Sequence, residues 1–67
     1  PDAQDDRLPR ELAALPQEQR EVVTLKIDAG LTFEQIGEML GISLNTAASR
    51  YRYALEKLRQ RLGEERA

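Results

Sequence analysis

Two amphipathic runs fill residues 32–62, and only Gly41-Ile42-Ser43 separates them. So short a link restricts the chain more than any other feature. Thr32 precedes the first run and Gln35 stands three residues on, the spacing of a capping box at a helix start. Phe33, Ile36 and Leu40 fall at i, i+3 and i+7, one face of that helix. Gly41 stops it, as glycine does at a left-handed position past a helix end. Ser43 suits the N-cap of the next helix. Three residues containing glycine between two helices is the link of a helix-turn-helix. Gly37 lies inside the first of these helices, where glycine costs roughly 1 kcal/mol against alanine. Close approach of another helix is the expected compensation.

The second run spans about residues 44–62. At about 100° per residue, with Tyr51 set at zero, its apolar side chains gather in one arc. That arc holds Leu44, Ala47, Tyr51, Ala54, Leu55, Leu58 and Leu62, the expected core stripe. Ser49, Tyr53 and Glu56 lie opposite, with Asn45 toward one edge. Arg52 and Arg59 flank one side of this polar face; Arg50, Lys57 and Arg61 flank the other.

Upstream, Leu8-Pro9 opens a short helix to Ala14, since proline is tolerated in a first turn. Leu15-Pro16 repeats the signal and starts another. Glu18 falls in its first turn, where a carboxylate suits the helix dipole. Val22, Val23, Leu25, Ile27 and Ala29 supply a wide apolar face, and Gly30 ends the helix. The expectation is an all-α fold, a small four-helix domain with a C-terminal helix-turn-helix, over residues 8–62. Residues 1–7 read as a disordered linker remnant and 63–67 as a frayed tail.

At 67 residues the chain holds one small domain. A chain of this size buries only about 60% of the surface its unfolded form exposes. It has no cysteine and no histidine. That removes disulfide frameworks, thiolate zinc sites and the usual general base. Ser43 and Ser49 have no histidine partner, and the glycines form no phosphate loop. Neither catalysis, a metal nor a cofactor is expected. No apolar run is long enough to span a membrane. A chain that opens on Pro1 reads as a piece of a longer protein, and the cytoplasm is the default compartment.

The net charge of −2 hides a split. Residues 1–44 carry four basic side chains against nine acidic ones, whereas residues 45–62 carry five basic ones against Glu56 alone. A helix fits the major groove of B-DNA, with base edges on the floor and phosphates on both walls. A reading helix therefore needs short polar or aromatic groups at its centre and cations on its flanks. The last helix has that arrangement. Asn45 offers a donor and an acceptor to an adenine edge, and Ser49 reaches a base or a phosphate. Arg52 suits a guanine or a phosphate, and Tyr53 a sugar or a thymine methyl. Arg50, Lys57 and Arg59 fit the backbone. The first turns of such a helix usually meet the bases. An amphipathic helix with a charged outer face is also the ordinary product of a small helical fold. The capped, glycine-linked helix before it is what favours DNA.

The residues in order are Leu15-Pro16 with Arg20-Glu21-Val22-Val23, Gly30-Leu31-Thr32-Phe33-Glu34-Gln35-Ile36, Leu40-Gly41-Ile42-Ser43, then Thr46, Ser49-Arg50 and Ala54. This series resembles region 4 of bacterial sigma-70-family factors. The stretch from Ser49 to Arg59 is similar to the extracytoplasmic-function (ECF) group in particular. The resemblance implies a four-helix domain whose helix-turn-helix reads the −35 promoter element of double-stranded DNA. It implies docking on the β flap of RNA polymerase through apolar surface of the earlier helices, and in many members an anti-sigma factor that covers these surfaces. It places DNA contacts at Asn45, Ala48, Ser49, Arg52 and Tyr53, with Arg50 nearby; the helical wheel adds Lys57. Recognition of the −10 element belongs to a separate region, so this stretch alone is not expected to initiate transcription.

Two positions depart from the family pattern. Ala47 stands where valine is usual, and Ala48 where a basic side chain is frequent. Two other roles suit the same residues. One is the DNA-binding output domain of a LuxR-type response regulator, which would dimerise through the last helix. The other is a protein-interaction module bound by an anti-sigma factor with no DNA role of its own.

Overall fold

The computed structural model describes the backbone of residues 7–66 and side chains through residue 63. Among these residues there are four helices and no strand: α1 (Arg7–Ala14), α2 (Gln17–Ile27), α3 (Phe33–Leu40) and α4 (Leu44–Arg66). The fold is all-α, as expected. The reading of residues 1–6 as a disordered remnant lies outside the described residues. Arg7 is already helical, so α1 begins two residues earlier than Leu8-Pro9 suggested, with Pro9 still in its first turn. At the other end α4 continues through Gly63 to Arg66 rather than stopping near Leu62. No proline or left-handed glycine interrupts it there.

The joint between α1 and α2 is tied by a side chain that periodicity does not single out. Arg20 Nη1 donates to the carbonyls of Ala13 (2.9 Å) and Leu15 (3.2 Å). These carbonyls lie where α1 has run out of intrahelical donors, the groups a C-terminal cation satisfies. Pro16 stands just before α2, and its carbonyl accepts from Arg20 N at 3.0 Å.

The apolar face of α2 is narrower than its sequence suggested. Val22 and Val23 are buried and Leu25 is partly so, but Ile27 is 59% exposed and Ala29 is exposed. The helix ends at Ile27, so Ala29 falls outside it. Beyond it Ala29 N bonds back to Thr24 O, Leu31 N bonds to Leu25 O, and Gly30 takes φ +71°.

The link between α3 and α4 forms as its residues dictate. Thr32 Oγ1 accepts from Gln35 N (3.1 Å) while Thr32 N donates to Gln35 Oε1 (2.9 Å), completing the capping box. Gly41 adopts φ +74°, and Ile42 N bonds to Gly37 O at 2.9 Å. Ser43 Oγ then accepts from Thr46 N (3.0 Å) and donates to Thr46 Oγ1 (2.9 Å), capping α4. Gly37 is explained here by the close approach of the link and of the first residue of α4, whose Leu44 N would lie 3.5 Å from a Cβ on it. A Cβ on it would lie 2.6 Å from Ile42 O and 3.4 Å from Ser43 C, so the backbone of the link itself occupies the space.

All three earlier helices pack on α4. Two buried clusters form. Leu15, Val23, Ala54 and Leu58 hold α1 and α2 to α4, and Val22, Ile36 and Ala47 hold α2 and α3 to it. Tyr51 packs against both clusters. Ala47 is fully buried. Leu44 and Leu55, expected in the core stripe, are 49% and 38% exposed. The helix is turned so that Ala47, Ala54 and Leu58 face inward and these two leucines sit on the margin.

Candidate nucleic-acid interface

The Ser43 cap fixes where α4 starts and therefore which side chains its first turns present. Asn45 is exposed in the opening turn. Ser49, half-buried, follows four residues later, then Arg52 and Tyr53, both exposed. Spacings of three and four put these on one side of a helix. Asn45 to Tyr53 spans about 12 Å at 1.5 Å per residue. That is the length of three to four base pairs at about 3.4 Å each.

The remaining expected positions divide. Lys57 is exposed and Arg50 half-buried, and they lie seven residues apart on one flank. Ala48 is half-buried, toward the packed side, and its methyl offers only a small apolar contact. Arg61, grouped with that flank on the wheel, turns to the scaffold: its Nε lies 3.4 Å from Glu11 Oε1 on α1. Arg59 joins Tyr51, Arg52, Leu55 and Glu56 around a shallow depression on the opposite flank.

Two aromatic contacts bear on this face. The Arg52 guanidinium carbon lies 5.5 Å from the centroid of the Tyr53 ring, within cation–π range. Behind the polar face of α4, Phe33 and Tyr51 meet edge to face, and Lys26 Nζ stands 4.4 Å from the Phe33 centroid. Lys26 therefore joins α2 to the start of α3, a role that charge counting did not reveal.

A second surface lies away from the polar face of α4. Leu8, Leu12, Val23, Ile27, Leu55 and Leu58 line a groove of about 430 Å³ between α1, α2 and α4. Leu8, Ile27 and Leu55 are large apolar side chains left open to solvent along it. Sequence reasoning had placed apolar surface on the earlier helices without locating it. Ile27, the last residue of α2, stands on the rim of the groove. Among the described residues no helix is long and apolar enough to cross a membrane.

The family described as Sigma-70, region 4 matches residues 12–60, most of the chain, including α3, the link and α4 as far as residue 60. This chain belongs to the sigma-70 region 4 family. It is also similar to the ECF RNA polymerase sigma factor ShbA of Streptomyces griseus subsp. griseus, with 44% identity over 48 residues. That match covers 72% of this chain and 25% of the Streptomyces protein, so the chain spans about a quarter of that relative's length. No solved structure gives a significant match. The likeness to a sigma factor of the ECF kind agrees with the resemblance carried by residues 49–59. The chain is a sigma-factor region 4, and the family is one of transcription regulators.

Proposed function

We propose that this chain reads the −35 element of promoter DNA, with α4 in the major groove, as region 4 of an RNA polymerase sigma factor. The observation that carries the reading is the exposed face of α4. Directly after a serine-capped helix-turn-helix link it presents Asn45, Ser49, Arg52 and Tyr53 in line, with Arg50 and Lys57 beside them. Asn45, Ser49, Arg52 and Tyr53 face base edges in this account. Arg50 and Lys57 neutralise phosphates, and Ala48 packs against the groove wall. Phosphate contacts give affinity without sequence preference, and base contacts give the preference.

The apolar groove between α1, α2 and α4 is assigned to the β flap of the polymerase. The exposed leucines and Ile27 supply the apolar surface that such docking needs. Holding the domain on the polymerase raises its effective concentration at the promoter, so modest isolated affinity suffices. An anti-sigma factor covering either surface would silence the domain. If so, the protein works in the cytoplasm, where promoter and polymerase are.

Fluorescence anisotropy of a labelled duplex with an ECF-type −35 sequence, beside a scrambled duplex, tests this reading. The −35 duplex should bind more tightly. With three or four cationic contacts drawn from Arg50, Arg52, Lys57 and Arg59, the slope of log affinity against log salt should lie at about −2.7 to −3.6. Lys57→Ala should make that slope shallower by about one contact and weaken both duplexes alike. Arg52→Ala should narrow the gap between them. Equal binding of both duplexes, unaffected by Arg52→Ala, would overturn −35 reading by this face, and no binding of either would leave only the protein-interaction role.

A further inference from the structure

Arg52 and Tyr53 are neighbours in sequence, yet their side chains come together rather than diverging around the helix. The guanidinium carbon stands 5.5 Å from the Tyr53 ring centroid. Both residues are exposed. Tyr53 is 56% exposed, so packing does not explain why its ring sits beside the arginine. The contact biases a long, flexible cation toward Tyr53 at the edge of the polar face.

We infer that Arg52 and Tyr53 act as one specificity-determining unit, reading a guanine that has a thymine as its neighbour. This rests on the proposal that α4 enters the major groove and names the bases it meets there. A guanidinium reaches guanine O6 and N7 with two parallel hydrogen bonds only when its plane is aligned with the base edge. Contact with the Tyr53 ring restricts that plane before DNA arrives, so less rotamer freedom is lost on binding. The ring lies beside the guanidinium and meets the adjacent base pair. An apolar ring edge there favours the C5-methyl of thymine, the one apolar group on the groove floor. Tyr53 therefore has two tasks: it positions Arg52 and contacts the methyl.

Binding selection of the 67-residue chain on a pool of randomised duplexes, followed by sequencing, tests the unit. The selected sites should share a guanine next to a thymine. In one such site, uracil in place of that thymine removes only the methyl and should weaken binding about threefold to fourfold, the worth of one buried carbon. Replacing the guanine by 7-deazaguanine removes one acceptor of the bidentate pair. It should cost the unsubstituted chain about fivefold to a hundredfold, the range of a specific base contact.

The variants separate the two tasks. Tyr53→Phe keeps the ring and should keep both preferences. Tyr53→Leu keeps an apolar contact but loses the cation–π partner. It should retain the uracil penalty while its 7-deazaguanine penalty falls about twofold to fivefold. Arg52→Ala should abolish the guanine preference. An unchanged 7-deazaguanine penalty in Tyr53→Leu, or selected sites without the guanine–thymine pair, would overturn the unit while leaving DNA reading by α4 intact. Failure to enrich any sequence, even at low salt, would overturn both.

Discussion

Phe33 and Tyr51 meet edge to face, with ring centroids 5.3 Å apart and planes inclined at 62°. One ring opens α3 and the other sits mid-way along the packed side of α4. Their contact therefore braces the two helices of the helix-turn-helix beyond the link itself. Aromatic pairs of this geometry contribute about 0.5–1.5 kcal/mol beyond their buried area. A double-mutant cycle with Phe33→Leu and Tyr51→Leu, followed by urea unfolding, should give a coupling energy in that range. A coupling near zero would mean that the two rings act only as separate fillers.

Two glycines on helices should respond to alanine with opposite signs. At Gly37 the propensity gain of about 1 kcal/mol is offset by forcing the link backbone away. The obstructing atom is the Ile42 carbonyl oxygen, 2.6 Å from the new Cβ. Gly37→Ala should therefore destabilise. Gly63 has nothing within 4 Å of such a Cβ, so Gly63→Ala should stabilise by about 0.5–1 kcal/mol. Thermal unfolding of the two variants beside the parent decides both signs.

Leu58 and Leu55 lie three residues apart on α4 but should differ in consequence. Leu58 is 6% exposed inside the cluster with Leu15, Val23 and Ala54. Leu58→Ala should cost about 2–5 kcal/mol, the usual range for a buried leucine. A domain of this size has about 3–10 kcal/mol in all, so that loss approaches unfolding. Leu55 sits on the groove rim, and Leu55→Ala should cost only about 1 kcal/mol of the transfer energy a fully buried leucine carries. Denaturant midpoints of the two variants measure the difference.

Ile27 separates docking from folding. It is 59% exposed at the rim of the apolar groove, so Ile27→Asp should leave the thermal midpoint within a few degrees of the parent. The charge would face any apolar helix entering the groove. Binding of a purified polymerase flap fragment, followed by calorimetry, should weaken at least tenfold, about 1.4 kcal/mol. DNA binding by the same variant should not change. Undiminished flap binding would remove this groove from the docking account.

Local chemistry made the helix-turn-helix legible. Thr32 with Gln35, Gly41 and Ser43 each carry a requirement that only one backbone arrangement meets, and each meets it in the structure. The polar face of α4 was legible for the same reason, because the spacing of Asn45, Ser49, Arg52 and Tyr53 is fixed by helical pitch. The rotation of α4 about its own axis was not. A wheel weighted by bulky side chains centres on Tyr51, whereas the helix packs most closely where its side chains are smallest, at Ala47 and Ala54. That difference moved Leu55 from core to rim and hid the groove. The Arg20 bonds to α1 and the Arg61–Glu11 pair were likewise out of reach. They join residues whose proximity is set by the packing of whole helices.

The central claim is that the exposed face of α4 meets duplex DNA. An NMR titration of the isotope-labelled chain with a short duplex carrying an ECF-type −35 sequence, beside a scrambled duplex, tests it most directly. The account predicts that shifts concentrate at Asn45, Ser49, Arg52 and Tyr53, extend to Arg50 and Lys57, and are larger for the promoter duplex. Shifts centred instead on Leu8, Ile27 and Leu55, or none at low salt, would contradict it.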